Sequence, residues 1–224
     1  MSTVRLEISG GVARVVLDRP AALNIYNLEM RDELTEAFGA VRELPEVRAM
    51  VLAAEGRHFS AGADLSEFGS AGSIFEARRI RWRRDPWSAL LNSDKPSVAA
   101  LHGYALGAGF EMALMCDLRL AAPDAVLGLP ETKLGMLPSA GGSQTLARAV
   151  GPARAAWLVM TAENISATEA LAAGLVHGVV EDVEAEAMEL ARRLASVDPA
   201  IMAAARRQLR ADPQWAGRGR STTS

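Results

Sequence analysis

A single cysteine, Cys116, occurs in the 224 residues. That excludes an intramolecular disulfide framework and a thiolate zinc cluster, and makes a reducing compartment the expectation. Charge of one sign is not in excess either: 24 Lys and Arg against 27 Asp and Glu leave a formal charge of −3. Such a balance supplies no global field to gather nucleic acid or anionic lipid, so neither is an expected partner. The opening residues, Met1 to Arg5, lack the basic segment and apolar run of a secretory signal, and Glu7 argues against an Arg-rich transit peptide. A cytoplasmic protein is expected. Long apolar runs are scarce. The one of spanning length, Val98 to Cys116, is interrupted by Gly103, Gly107, Gly109 and Glu111, and a mid-span carboxylate costs about 2.5–3.5 kcal/mol on insertion scales. No membrane span is expected. Familiar phosphate motifs are missing too. No Gly-Lys-Ser/Thr ending forms a P-loop, and Met112 stands where a third dinucleotide-binding glycine belongs.

What is present is an ordinary globular composition, 50% apolar and 23% charged, in a length that suits one large domain or two small ones. Alternation on either side of Gly10-Gly11 predicts a β-hairpin over 4–18. Apolar spacing predicts a helix over 28–44, and the run from Ala49 to Ala53 predicts a strand buried on both faces. A long Gly/Ser-rich loop over 56–73 and a polar helix over 74–92 follow. Next come a strand over 97–101, a turn over 103–109, a helix over 108–115, and short strands over 118–121 and 125–129. The last third reads as helices over 141–150, 153–160, 168–173 and 183–196, with a late strand over 175–180 and a frayed tail over 217–224. Strands alternating with helices imply an α/β architecture with crossover connections.

Two Gly/Ala-rich turns follow predicted strands: Phe59-Ser60-Ala61-Gly62-Ala63-Asp64-Leu65, and Gly103 through Gly109 to Glu111. Small side chains there let a ligand approach backbone N–H groups, and two such turns converging on one oxygen would stabilise an enolate or a tetrahedral oxyanion. Two tight structural turns would have the same composition. Ser60 in His58-Phe59-Ser60-Ala61-Gly62 half-matches a nucleophile elbow, with His102 or His177 as the imaginable base, which keeps a serine hydrolase as a rival. Glu111 sits among apolar helical neighbours and Glu131 follows Leu129-Pro130, so both acids occupy apolar settings. Such a pair can hold a water between them, one accepting a proton while the other donates one. A structural arginine neutralising either acid is the alternative. Asp117, directly after the helix, reads as structural.

Over residues 4–197 the sequence resembles the crotonase superfamily, and within it the enoyl-CoA hydratases. The resemblance rests on Asp18-Arg19-Pro20-Ala21-Ala22-Leu23-Asn24, the two turns above, Lys95-Pro96, Leu129-Pro130-Glu131, Gly135 to Gly142, Ile165-Ser166-Ala167 and Ala173 to Val176. It implies a crotonase-like spiral of ββα repeats, with a core over 1–190 and a shortened helical segment over 191–224. It also implies hydration of an enoyl-CoA thioester with Glu111 as base and Glu131 as acid. The oxyanion hole would be the N–H groups of Ala63 and Ala108, and Ala22, Leu23, Ala61, Gly62, Asp64 and Leu65 would line the coenzyme A site. Coenzyme A enters as part of the substrate, so no separate cofactor and no metal is expected. A homo-oligomer, trimeric or hexameric, is implied as well. Another crotonase-type reaction (double-bond isomerisation, or acyl-CoA or ring hydrolysis) is the alternative activity, and a non-catalytic RNA binder using Arg78 to Arg84 is the non-enzymatic one. Departures from the pattern fall at Ala21, a frequent lysine, and at Ile25-Tyr26, usually a small apolar pair that bears on the acyl end. Trp82, Trp87, Phe68 and Phe110 are candidate walls for a bulky or cyclic acyl group.

Overall fold

The computed structural model describes residues 2–67, 72–73 and 84–210. Strands β1 (Val4–Ser9) and β2 (Val12–Leu17) form the expected antiparallel hairpin. Helix α1 (Leu28–Glu43) starts where the Asn27 side chain accepts the Met30 N–H at 2.9 Å, and it turns Met30, Leu34, Phe38 and Val41 inward. Strand β3 (Ala49–Ala54) is buried at all six positions and β4 (Ser97–Leu101) at all five. With β6 (Leu118–Ala121) and the short β9 (Gly178–Val179) they complete a six-stranded sheet, order β1-β2-β3-β4-β6-β9, parallel from β2 onward.

A period of two along these strands feeds two cores. Met50, Leu52, Ala99 and Leu101 join the cluster under α1 and α3 (Ala108–Met115). Ala49, Val51, Val98 and Ala100 face α7 (Val183–Ala195), whose Ala187, Ala191 and Ala195 form a stripe of small side chains that lets it lie close to the sheet. Helix α7 runs through residues 190 and 191 without a break. Strands β5 (Tyr104–Leu106), β7 (Val126–Gly128) and β8 (Ile165–Ser166) form a second sheet, order β5-β7-β8. Thus β4-β5 and β6-β7 each send their first strand into the large sheet and their second into the small one, and the second strand leads toward a helix.

Two sequence expectations change, and a third is described only in part. The turn over 103–109 contains β5, whose three residues are too few to show a period. The late strand shrinks to β9, because Leu175 and Val176 give their N–H groups to Ala170 O within α6 (Ala167–Ala172). The polar helix over 74–92 is described only as α2 (Pro86–Leu91), where Asp85 caps Ser88 N–H at 3.1 Å. Residues 74–83, which include Arg78 to Arg83 and Trp82, lie outside the described set, as do Phe68 and the tail over 217–224. Arg84 pairs with Glu36 at 3.1 Å. Val98 to Cys116 divides into β4, β5 and α3, and no helix among the described residues is long and apolar enough to cross a membrane.

The remaining helices α4 (Gly142–Val150) and α5 (Pro152–Thr161) follow one another, and α8 (Pro199–Arg210) closes the described chain. Helix α8 is fastened to the base of α3. One oxygen of Asp117 accepts from Ser97 N and Oγ at 2.9 Å each and from Arg206 Nε at 2.7 Å, and the other accepts from Arg210 Nη2 at 2.8 Å. Arg210 also donates to Met115 O at 2.6 Å, and the buried Arg119 donates to Cys116 O at 2.8 Å, so two guanidinium groups cap the C-terminus of α3. Beside them Cys116 is 3% exposed, and its thiol is pushed up to about 12, chiefly by burial and then by Asp117. Burial pushes the Asp117 carboxyl up, but Arg206 and Arg210 outweigh it and hold the group below its ordinary range. The stability this supplies is present at neutral pH and lost as pH falls through that lowered value. Asp117→Asn leaves both arginines without their counter-charge and should cost about 2–3 kcal/mol, lowering the melting temperature at pH 7 by roughly 4–12 °C. An unchanged melting temperature would contradict the clamp.

Candidate active site

The site is assembled from loops at the C-terminal ends of β2, β3 and β4, where parallel sheets ordinarily bind ligands. After β2 the chain makes a 3-10 turn over Pro20–Ala22, and Leu23 and Asn24 then take left-handed φ values of 53° and 50°. That backbone persists because Asn24 is fully buried and bonded on every side. Its Oδ1 accepts from Arg19 N at 2.7 Å, its Nδ2 donates to Glu55 O and His58 O at 2.8 Å each, and its carbonyl accepts from Ser60 Oγ at 2.7 Å. Ala61 N–H donates to Leu23 O at 3.0 Å, so Ala22, Leu23 and Ala61 share one rim. Arg19 reaches Asp64 at 3.3 Å, and Leu65 begins an exposed 3-10 turn on the same side.

Ala63 pairs with Tyr26 in a parallel bridge. Tyr26 supplies both ladder bonds: its N–H goes to Gly62 O and its carbonyl takes Asp64 N–H, each at 2.8 Å. In this pattern the partner's own N–H points the other way. Ala63 N–H therefore faces away from Tyr26, and among the described residues no acceptor takes it. The second turn lies alongside: Leu106 N–H donates to Ser60 O at 2.9 Å, and a Cβ at Gly109 would stand 2.5 Å from Ser60 Cβ, an approach that only glycine permits. Gly107, at φ 51°, leads into α3, so Ala108 N–H is one of the donors a helix start leaves unused. A Cβ on Gly107 would lie 3.6 Å from Gly62 Cα, which measures how closely the two turns meet.

Both glutamates reach this junction. Helix α3 is buried at all eight positions, and Glu111, on its first turn, is 2% exposed. Its Oε1 accepts from Ala140 N at 2.9 Å and from Gly142 N, at the start of α4, at 2.7 Å. Backbone donors at a helix start thus offset its burial. Glu131 lies in the 3-10 turn Pro130–Leu134, which Thr132 Oγ1 ties to Val159 O of α5 at 2.8 Å. A Cβ on Gly107 would stand 3.1 Å from Glu131 Oε1, whereas Oε2 is buried with no hydrogen-bond partner. Burial, and to a lesser degree the charge of Glu111, hold the Glu131 carboxyl above its ordinary range; its own backbone N–H draws it down by less than burial raises it. The result is one acid held by two backbone donors beside a second whose carboxyl resists ionisation.

The serine-hydrolase reading does not survive the geometry. Ser60 is fully buried with its hydroxyl committed to Asn24 O. His102 faces Gly56 O, and His177 Nδ1 accepts from Arg119 N. Asp117 is structural, as expected. Among the described residues no cluster of three His, Cys, Asp or Glu side chains is placed to hold a metal ion. The sequence reading assigned no part to Asn24 beyond the motif, nor to the Ala140 and Gly142 N–H groups. Gly141-Gly142 ahead of a predicted helix was the available signal for the latter.

Residues 7–220 match the family described as enoyl-CoA hydratase/isomerase. The chain belongs to this family. Within the family it is 40% identical to a short-chain-enoyl-CoA hydratase of Clostridium acetobutylicum, over 89% of this chain and 77% of that protein. It is 39% identical to a 2,3-dehydroadipyl-CoA hydratase of Escherichia coli, over 89% and 78%. Among solved structures, an enoyl-CoA hydratase from Bacillus anthracis superposes with a TM-score of 0.85 at 34% identity, over 92% of this chain and 82% of that one. The α/β architecture described above is the crotonase fold of these family members.

The raised Glu131 carboxyl predicts a signature in stability. A carboxyl raised in the folded state binds more protons there than in the unfolded chain, so its contribution to stability declines as pH rises through the raised value. Glu131→Gln removes that penalty. In melts from pH 4 to pH 8 the variant should gain steadily on the wild type, by about 2–4 °C for each 1 kcal/mol of penalty, with little difference at pH 4. A pH-independent difference would contradict the assignment.

Proposed function

We propose that this chain is an enoyl-CoA hydratase that adds water across the 2,3 double bond of an enoyl-CoA thioester. The observation that carries this reading is the pairing of Glu111, held by two N–H donors, with the buried, proton-retaining Glu131 beside two turns that present N–H groups. The thioester carbonyl lies between Ala63 N–H and Ala108 N–H, which polarise it and make the β carbon electrophilic. Glu111 takes a proton from the attacking water as its oxygen bonds to the β carbon. Glu131 gives a proton to the α carbon as the enolate collapses, and the proton left on Glu111 then restores Glu131 through solvent. Ala22, Leu23, Ala61, Gly62, Asp64 and Leu65 bind the coenzyme A portion of the substrate, and the chemistry calls for no further cofactor.

The working form is a cytoplasmic homo-oligomer. Trp157 and Met160 on one face of α5, with Leu134 and Leu137, leave apolar surface exposed at 56–79% beside the Glu131 turn, which favours association of copies.

Glu111→Gln and Glu131→Gln should each lower kcat for crotonyl-CoA hydration by about 10²–10⁴-fold while the protein stays folded, and Ser60→Ala should retain turnover. In heavy-oxygen water the 3-hydroxyacyl product should contain the label. Wild-type turnover in both glutamine variants, or product formed without label, would overturn the reading.

A further inference from the structure

Resting on the hydratase reading, one further side chain joins the two turns: we propose that His58 is a positioning residue whose neutral imidazole latches β5 to the Ser60 turn and so keeps Ala108 N–H aimed at the thioester oxygen. The two stretches run as a short parallel ladder. Phe59 N–H donates to His102 O at 2.9 Å, Ser60 N–H to Tyr104 O at 2.8 Å and Leu106 N–H to Ser60 O at 2.9 Å. Continued one step toward its start, that ladder would bring Tyr104 N–H to the carbonyl of His58. Asn24 Nδ2 already donates to that carbonyl at 2.8 Å, and Tyr104 N–H donates instead to His58 Nδ1 at 3.1 Å. The side chain thus stands in for its own main-chain acceptor.

An amide N–H can only donate, so Nδ1 holds a lone pair there and the ring proton is on Nε2. A second proton would set two donors against each other and open the latch. The rings of His58 and Tyr104 lie 4.3 Å apart and 9° from parallel, so residue 104 is held through its side chain as well. Around the imidazole stand Arg57 on its own segment, His102 and Tyr104 on the facing one, and Asp124 in the turn after β6, whose Oδ1 accepts Gly103 N–H at 3.4 Å. Burial first, and then Arg57 and His102, hold the His58 imidazole below its ordinary range, against a weaker pull from Asp124. The latch is therefore closed at neutral pH and opens as pH falls through that lowered value. Tyr104 begins β5, which ends at Leu106, next to Gly107 and Ala108. A shift of the strand is passed directly to the Ala108 N–H, which has no rotamer to correct it.

Profiles of kcat and KM for crotonyl-CoA hydration from pH 5 to pH 8 test the latch, with His58 titrated by NMR in protein carrying labelled histidine. His58→Leu, which has no acceptor, should lower kcat at pH 8 by about tenfold with KM little changed, because a misaimed donor is felt most in the transition state. His58→Asn, whose Oδ1 accepts at the same distance from the main chain but takes up no proton, should restore it. In the wild type kcat should decline on the acid side where the His58 signal titrates, and His58→Asn should lack that decline. Hydrogen exchange of residues 104–108, compared between wild type and His58→Asn at each pH, reads the latch without turnover: wild-type exchange should overtake that of the variant as His58 is protonated. If the wild type hydrates crotonyl-CoA and either the acid decline is unchanged in His58→Asn or His58→Leu keeps wild-type kcat, the latch is refuted and the hydratase reading stands. If the wild type does not hydrate crotonyl-CoA but exchange follows His58, the latch stands and the hydratase reading fails. With neither turnover nor that exchange difference, both fail.

Discussion

An ionisable group inside an apolar helix is tolerable only if donors meet it, and much of this structure follows from meeting Glu111. Helix α3 is buried at all eight positions, so Glu111 lies among apolar helical neighbours. The chain answers with backbone: it returns through residues 140–142 so that the start of α4 delivers N–H groups to Oε1. Those donors hold one oxygen in place. Glu131 receives no comparable compensation at Oε2, and burial holds its carboxyl above the ordinary range.

The same helix is anchored at its far end by a different device. Arg119 and Arg210 satisfy carbonyls at the C-terminus of α3, and Asp117 offsets part of the positive charge while holding β4 and α8. One end of an eight-residue helix thus faces the reaction, and the other ends in a network of ion pairs that ties three distant stretches of sequence together. Positioning of the Ala108 N–H depends on that rigidity, because a main-chain donor cannot be re-aimed by a rotamer change.

The hairpin, α1, β3, β4 and the order of elements were legible because their periods are regular and their ends are marked by Gly10-Gly11, Pro45 and Lys95-Pro96. The two N–H-presenting turns were legible as small-residue clusters after strands. Strand β5 was not, because three residues define no period and its identity comes from partners in β7 and at Ser60, both distant in sequence. The shrinkage of the late strand to Gly178–Val179 was hidden for a related reason: Leu175 and Val176 have strand-like side chains, but their N–H groups are taken by a helix end. At the site, the two glutamates stood out as acids in apolar surroundings. Their unequal stabilisation did not, since it depends on which backbone amides come to lie nearby in space. The resemblance supplied what periodicity lacked, the pairing of Ala63 with Ala108. The direction of the Ala63 N–H follows from the ladder bonds made by Tyr26.

The lone sulfhydryl of Cys116 also has a practical consequence. Sealed between the end of α3 and the start of β6, it is buried and its thiol is pushed up to about 12, so the folded protein should be silent toward maleimides and mild oxidants. A cysteine introduced on the surface would consequently be the sole reactive handle, allowing a fluorophore or spin label to be attached at one chosen position without first deleting the native thiol.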